Sequence, residues 1–535
     1  MKVAGKKALA ALLTLPLMLT ACGGGSGNGD NEGKNGSTAF NETGFPIAND
    51  QVTLKFVTTR APQQTKPHQE LKVVKDFEGK TNVHIEWDAS SQGYEEKKNL
   101  MFASGDLPDV FYGSESLNDM DIVTYGSQGQ LIPLNDLIDQ YAPNVKKMLE
   151  ARPDIKRAIT APDGNIYSLP SIQEEEHLAL NDVLFINKKW LDELGMKLPT
   201  TMDEFEQALA AFKTKDPNKN GKADEIPFSF IYGHDLLGIY SMYGAFGRLD
   251  TSSHIVVENG KVVFTADKPE FKEATAYFHK LYSQGLIDPE SFTQERSVLF
   301  SKGKNKDAPI LGAYVGWAPI NVVGPEREKD YVPLLPLKGP DGQQTWNRFR
   351  PGFMTRAGFA ITANNKYPEA SIRWIDAVYD EKASLEWNWG PIGLTMEEKG
   401  DGTYRFKPTP EGMSFDEFRH SEAPGNTSAR LILKDTINKI EKSDIQQYRA
   451  DLYEQFKPFL AKDMYPNVLF PAEDMQRLAV LQTDINSHIT KTQAQWIIDG
   501  NYDGQWDSYV QALKKMGSDE LIEIYQKNMD AYNAQ

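Results

Sequence analysis

Alternating hydrophobic and polar residues mark short strands near the start of the chain. Val52–Val57 and Val83–Trp87 alternate with a period of two, and Asp109–Tyr112 adds a third strand. Between them, Leu71–Glu78 and Tyr94–Ala103 are predicted to be helices. Strands that alternate regularly with helices predict βαβ units and a largely parallel sheet.

A second group of elements is predicted further along the chain. Strands are predicted at Leu178–Ile186, Phe228–Tyr232, Pro309–Val315 and Phe359–Ile361, a hairpin over Val256–Phe264, and helices over Lys188–Leu194, Pro269–Gln284 and Tyr367–Tyr379. From Ile432 onward, apolar residues recur at three- and four-residue steps, which predicts a mainly helical C-terminal part. A chain of 535 residues exceeds the length at which one core usually splits, so two domains are expected.

The N-terminus has the pattern of a lipoprotein signal. Three lysines precede the apolar run Ala8–Leu19, which is too short for a stable membrane span, and Leu19–Cys22 resembles a bacterial lipobox. We expect cleavage after residue 21, a diacylglycerol on Cys22 and a flexible tether over residues 22–49. A plain secretory signal with an incidental cysteine is the alternative. The expected location is extracytoplasmic, with the membrane contacted through the lipid anchor only.

Composition narrows the function classes. The net charge of −17 argues against nucleic-acid binding and against an electrostatic hold on anionic lipid. The single cysteine excludes an intrachain disulfide and a cysteine-based metal site. Nine Trp and 22 Tyr fit sugar stacking as well as core packing.

Residues 216–225 match the first places of an EF-hand loop. Oxygen-bearing side chains alternate with spacers, and Gly221 stands at the sixth place, where a calcium loop bends. The twelfth place is Pro227 instead of the usual bidentate Glu, so Glu225 is expected to close the shell. The predicted ligands of a structural Ca²⁺ are the side chains of Asp216, Asn218, Asn220, Asp224 and Glu225 and the carbonyl of Lys222. An ordinary Asn/Asp/Gly turn is the alternative.

Several stretches in this order resemble one family, the carbohydrate-binding lipoproteins of ABC importers, in the large subgroup with a calcium loop. The matching stretches are Ala103–Phe111, Asp163–Pro170, Ile186–Leu191, Pro199–Phe205, Phe359–Thr362, Tyr367–Ala370 and Ile497–Gly500 with Trp506. The resemblance implies an α/β, two-lobed periplasmic-binding-protein-like fold with several hinge crossovers. It places lobe 1 at residues 50–175 and 356–428, and lobe 2 at residues 176–355 and 429–535.

The resemblance also implies the binding residues. Sugar contacts are expected in the loops after strands, from Tyr112, Ser114, Glu115, Tyr232, His234 and Trp317, with Trp389, Trp346 and Arg350 as weaker candidates. Sugar sites combine aromatic platforms with a few fixed polar groups, and each of these residues could instead serve packing or a solvated surface. Arg350 and Arg356 are the only hints of a pocket for an anionic sugar.

The implied function is capture of an oligosaccharide by a monomeric protein and its delivery to an ABC permease. A surface adhesin is the alternative from another class. An enzyme is less favoured, because no G-x-S-x-G, H-E-x-x-H or P-loop motif occurs and no pair of carboxylates stands out.

Overall fold

A computed structural model describes residues 40–61, 64–349 and 353–534. Its strands are β1 Val52–Thr59, β2 Val83–Ser90, β3 Val110–Tyr112, β4 Leu169–Gln173, β5 Val183–Asn187, β6 Ile226–Ser229, β7 Ile255–Glu258, β8 Lys261–Phe264, β9 Leu311–Gly316, β10 Tyr331–Leu334, β11 Phe353–Ile361, β12 Met396–Glu398, β13 Tyr404–Phe406 and β14 Leu431–Ile432.

The helices before residue 330 are α1 Lys72–Thr81, α2 Tyr94–Ser104, α3 Asp119–Ser127, α4 Asn135–Tyr141, α5 Pro143–Ala151, α6 Pro153–Ile159, α7 Lys188–Glu193, α8 Met202–Thr214, α9 Pro269–Ser283, α10 Arg296–Gly303 and α11 Pro319–Val323. Those after it are α12 Pro368–Val378, α13 Glu381–Trp389, α14 Phe415–His420, α15 Lys434–Ile437, α16 Asp444–Phe456, α17 Ala472–Asp499, α18 Tyr502–Lys515 and α19 Ser518–Asn533. None of the helices in the described ranges is long and apolar enough to cross a membrane.

Two sheets organise the molecule into two lobes. Lobe 1 surrounds a six-stranded sheet of order β14-β4-β11-β3-β1-β2, and lobe 2 surrounds a four-stranded sheet of order β10-β5-β9-β6. In lobe 1, β1, β2 and β3 are parallel and β11 runs antiparallel between β3 and β4. Apolar side chains fill both faces of this sheet, as expected for a largely parallel sheet covered by helices. The predicted two-lobed α/β class is confirmed.

The C-terminal helices belong mainly to lobe 2. α17 packs along α9 and α19, and its apolar residues join the lobe 2 core. The start of α17 contacts α3 of lobe 1 through Ala472 and Met475, so this helix touches both lobes.

The expected lobe boundary at residue 429 is wrong. β14 pairs parallel with β4, Leu431 opposite Ile172, and so extends the lobe 1 sheet. Ile432 and Ile440 then pack with Trp389 in a small lobe 1 cluster. The chain therefore crosses to lobe 2 between Ile440 and the start of α16. A strand of two residues is too short to show an alternation of apolar and polar positions, so the hydrophobic pattern did not predict β14.

The expected tether also ends earlier than residue 49. Ile47 and Ala48 are fully buried against lobe 1. The Arg373 guanidinium donates to the backbone carbonyls of Asn41 and Gly44. Residues 40–49 are thus part of the folded body. The predicted signal peptide and Cys22 lie outside the described residues.

Candidate functional site

The carboxyl ends of the lobe 1 strands gather at one edge of the sheet. β1, β2 and β3 end there in parallel, and β4 also ends there because both β3 and β4 run antiparallel to β11. The chain leaves this edge after β4 and enters lobe 2 at β5, through residues 174–182, here called the hinge segment.

The lobe 2 edge that receives the hinge segment carries the ends of β6 and β9. β5 begins with Val183 opposite Gly316, the last residue of β9, and β6 is parallel to β9. The loops after β6 and β9 therefore face the carboxyl edge of lobe 1. Open α/β sheets bind ligands in this position, outside the carboxyl ends of their strands.

Trp317 follows β9 directly and is partly exposed, whereas the next two residues are buried. The guanidinium carbon of Arg449 lies 4.9 Å from the centroid of the Trp317 ring. Arg449 Nη1 also donates to the Trp317 carbonyl oxygen at 2.6 Å. Trp317, a predicted sugar contact, thus lies at the lobe 2 edge that faces lobe 1, and its ring packs against the buried guanidinium of Arg449.

A buried polar network braces the end of β6. The Asp288 carboxylate accepts from Ser229 Oγ at 2.8 Å and from Lys302 Nζ at 2.6 Å. Gln294 Nε2 donates to the Phe230 carbonyl at 2.7 Å. Each polar group is paired, so this network fixes where the loop after β6 begins.

Tyr232 and His234 lie on that loop, and both are partly buried. The Tyr232 hydroxyl donates to Gln493 Oε1 at 2.6 Å, which ties the loop to α17. His234 Nδ1 accepts from the Leu236 N–H at 3.0 Å, and burial, followed by the charge of Arg296, lowers the pKa of His234. The two side chains are close to the facing edge, each with a polar contact inside lobe 2.

Tyr112 is not placed as expected. Its side chain is fully buried in an aromatic cluster with Phe56, Trp87 and Trp374. Tyr112 is the last residue of β3, and the strand's alternation directs it into the core. Beyond it, Ser114 is buried and its Oγ donates to the Asn426 carbonyl at 3.0 Å, whereas Glu115 is exposed.

Trp346 and Trp389 are also core residues. Trp346 belongs to the lobe 2 core, and its Nε1 donates to the Asp182 carbonyl at 3.0 Å. Trp389 packs in the small lobe 1 cluster, although its edge lines the cavity described below. Residues from other parts of the chain bury both rings, with Phe456 beside Trp346 and Phe406 beside Trp389. Arg350 lies outside the described residues.

Arg356 serves packing and does not face a pocket for an anionic sugar. Its guanidinium donates to the Ala158 carbonyl at 2.5 Å, to Asp119 at 2.6 Å and to the Asn467 carbonyl at 2.8 Å. This arginine therefore fastens the segment before α17 to lobe 1.

A cavity of about 220 Å³ lies where the lobes meet. It is lined by the hinge segment, by α15 with the residues after it, and by one face of α16; its polar residues include Glu174, Glu175, Glu176, His177, Lys434, Lys442, Gln446, Gln447 and Asp451. The sequence has three consecutive acids here, Glu174, Glu175 and Glu176, a pattern that is more often a solvated face than a catalytic cluster, yet Glu175 is buried. The sequence signal that could have indicated this cavity is the position of the three acids directly after the end of a strand.

Two of these acids are held by cations. Glu174 accepts from Arg152 at 2.6 Å, and Glu176 from Lys434 at 2.7 Å. Burial lowers the pKa of His177, whose Nε2 lies 3.5 Å from Glu175. The cavity thus offers fixed polar groups from both lobes, the type of lining that orients a hydroxyl-rich ligand.

The calcium-type loop lies at the opposite ends of β6 and β9. The amide nitrogens of Asn218 and Asn220 both donate to Asp224, at 3.0 to 3.1 Å, so the third, fifth and ninth places of the loop converge. The Gly221 N–H donates to Asp216 at 3.0 Å, and Gly221 adopts φ +74°, where a side chain would be strained.

One carboxylate oxygen of this loop lacks a hydrogen-bond partner. Glu225 Oε1 is buried with no hydrogen bond. Burial, then the charges of Asp216 and Asp224, raises the pKa of Glu225. A cation here would reverse that repulsion, so the donor set fits Ca²⁺. The described residues contain no group of three His, Cys, Asp or Glu positioned for one ion, so amide and carbonyl oxygens would have to complete the shell.

Comparison with known proteins identifies the class. Residues 61–384 match the bacterial extracellular solute-binding protein family. The chain is 36% identical over 98% of its length, and 98% of the relative's, to the fructooligosaccharide ABC transporter substrate-binding protein FusA of Streptococcus pneumoniae serotype 4 (strain ATCC BAA-334 / TIGR4). It is 24% identical, over 85% of its length and 87% of the relative's, to the polygalacturonan/rhamnogalacturonan-binding protein YtcQ of Bacillus subtilis (strain 168).

The solved structures agree. FusA of S. pneumoniae in complex with kestose superposes with a TM-score of 0.79 at 36% identity, covering 90% of this chain and 99% of that one. A FusA EF-hand mutant in complex with fructo-nystose gives the same TM-score, identity and coverage. An HMO-binding solute-binding protein from Bifidobacterium longum infantis ATCC 15697 gives a TM-score of 0.81 at 24% identity, over 90% of this chain and 99% of that one, and shares the fold. The chain belongs to the bacterial extracellular solute-binding protein family.

Proposed function

We propose that this protein captures an oligosaccharide between its lobes and delivers it, chemically unaltered, to an ABC importer. The observation that carries the proposal is the partly exposed Trp317 at the lobe 2 edge that faces lobe 1. An indole ring offers a flat apolar surface to the C–H face of a sugar. The likeness to FusA, whose structure holds kestose, favours a fructose-containing oligosaccharide.

The polar part of the site would come from both lobes. Glu115 is exposed beyond β3, and the interlobe cavity adds the hinge acids and the polar face of α16. Groups on separate lobes reach one ligand only when the lobes approach, so binding would be coupled to closure.

The proposal includes calcium and a lipid anchor. Asp216, Asn218, Asn220, Asp224, Glu225 and the Lys222 carbonyl would hold a structural Ca²⁺, and Cys22 would carry diacylglycerol. A FusA EF-hand mutant among the solved relatives supports such a loop in that protein. Replacing Cys22 by Ala should release the protein from the membrane fraction, and membrane retention of that variant would contradict anchoring through this residue.

Isothermal titration calorimetry with kestose, nystose and galacturonan oligomers tests the proposed function. We expect saturable binding of at least one fructose-containing sugar, and chromatography of the recovered sugar should show no cleavage. Absence of binding to every sugar, or a cleaved product, would overturn the proposal.

Trp317→Ala tests the assigned platform. Loss of a central aromatic contact should weaken sugar binding roughly tenfold or more. Trp506→Ala is the matched control, because Trp506 on α18 is also partly exposed and has a cation, Lys272 Nζ, 5.8 Å from its ring centroid. Equal affinity losses in both variants would contradict a specific role for Trp317.

A further inference from the structure

Arg449 is a fully buried cation on α16 that contacts two separate parts of lobe 2. Its side chain is completely excluded from solvent. Nη1 donates to the Trp317 carbonyl at 2.6 Å, Nη2 donates to the Leu180 carbonyl, and the guanidinium carbon lies 4.9 Å from the centroid of the Trp317 ring. One side chain thus contacts both the backbone and the ring of the residue assigned to the sugar.

Burying this charge is costly, so the fold must compensate for it. Burial lowers the pKa of Arg449 to about 10, and the group therefore remains charged at neutral pH. The carbonyl oxygens and the negative face of the indole ring compensate for part of this cost, while Nε has no hydrogen-bond partner among the described residues. A planar guanidinium can meet carbonyls at its rim and a ring at its face at the same time, which a lysine ammonium cannot do.

The two partners of Arg449 come from functionally distinct segments. Leu180 lies in the hinge segment, which carries the chain from lobe 1 into β5. Trp317 directly follows β9 at the edge facing lobe 1. α16 itself begins just after the chain has crossed back from lobe 1. Arg449 therefore joins the sugar platform to the hinge segment, from a helix next to a second crossing.

We propose that Arg449 is a positioning residue that fixes the orientation of the Trp317 ring and ties it to the hinge segment. The inference rests on the proposed sugar-binding function. Arg449 does not touch the sugar; it acts through Trp317, so its contribution to affinity exists only while the indole ring is present.

A double-mutant cycle tests this dependence. The variants are Arg449→Met, Trp317→Ala and the pair, each titrated with kestose or with whichever sugar of the panel binds the wild type. We expect Arg449→Met to weaken binding roughly tenfold in the wild-type background and less than about threefold in the Trp317→Ala background. A purely structural role would give equal losses in both backgrounds, and that result would overturn the inference.

Two controls keep the result interpretable. Arg373→Met removes another buried arginine that caps two backbone carbonyls, those of Asn41 and Gly44, remote from the facing edges. It should lower stability without changing sugar affinity. Arg449→Lys keeps the charge and replaces Arg449→Met in the cycle if Arg449→Met does not fold. The lysine variant should still weaken sugar binding and reduce the sugar-induced change in tryptophan fluorescence.

The outcomes separate the two proposals. No sugar binding by the wild type refutes the proposed function. If the wild type binds sugar, and folded Arg449→Met and Arg449→Lys bind it with the same affinity, only the role of Arg449 is refuted.

Discussion

At the scale of single residues, the sequence identifies the exposed aromatic better than the buried ones. Trp317 follows a strand and a glycine, and the structure places it at the edge of lobe 2 that faces lobe 1. Tyr112 has a similar strand-end position, but it packs into a cluster formed by residues far apart in sequence, including Phe56 and Trp374. The contacts of Arg449 could not be predicted from the sequence either, because its hydrogen-bond partners lie 132 and 269 residues away in the chain.

A buried acid at the end of the hinge segment gives a prediction about the pH dependence of folding stability. Asp182 precedes β5, is almost fully buried, and burial raises its pKa from 3.8 to about 7. Between these two values the folded chain holds a proton that the unfolded chain has released. The contribution of Asp182 to folding stability is therefore lost as pH rises from about 4 to about 7, and is constant above that.

Asp182→Asn should remove this dependence. We expect the variant to gain on the order of 2–4 kcal/mol of unfolding free energy over the wild type at pH 8, and little at pH 4. Urea denaturation at both pH values measures it. Asp106→Asn, at an exposed position, is the control. A gain of equal size at both pH values would contradict the assignment to Asp182.

At the scale of elements, the calcium-type loop was predictable because its chemistry is contained in ten consecutive residues. The spacing of its residues places Gly221 at the turn and allows the side chains of Asn218 and Asn220 to converge on Asp224. β14, by contrast, is defined by its pairing with β4, about 260 residues earlier, and has no local signature. The same distinction explains why residues 40–49 read as a tether: their burial comes from lobe 1 contacts such as those of Arg373.

The position of this loop predicts what calcium removal does. Asn218 Nδ2 donates to the Pro309 carbonyl at 3.3 Å, and the Ile226 N–H donates to the Ile310 carbonyl at 2.7 Å, so the loop joins the starts of β6 and β9. The sugar-facing loops are at the other ends of these strands. Chelation should therefore lower the melting temperature and leave the affinity of the folded protein for sugar nearly unchanged.

The size of the effect follows from mass action. Calcium at one hundred times its Kd would stabilise the folded chain by about 2.7 kcal/mol. Asp224→Asn should abolish the calcium-dependent rise in melting temperature, whereas Asp307→Asn, an exposed acid near Pro309, should retain it. An unchanged melting temperature of the wild type in EDTA would remove calcium from the proposal.

At the scale of the whole molecule, several connections define how the lobes can move. The hinge segment and the crossing after Ile440 link the lobes directly. A further link runs through the segment before α17: Arg356 of β11 holds Asn467, and α17 then continues into the lobe 2 core. The resemblance predicted more than one crossing, but the part played by α17 depends on packing between distant helices.

This arrangement predicts closure with a sliding contact. If the lobes approach around a sugar, the hinge segment must bend, and the start of α17 must shift against α3 because most of α17 moves with lobe 2. Sugar should reduce the radius of gyration measured by small-angle X-ray scattering. Hydrogen exchange should change in residues 174–182 and at the α17–α3 contact, while the central strands of both sheets stay protected. Trp317→Ala at the same sugar concentration should show a smaller change in both measurements, because fewer molecules are bound. A wild-type protein saturated with sugar whose radius of gyration stays constant would show that the ligand binds without closing the lobes.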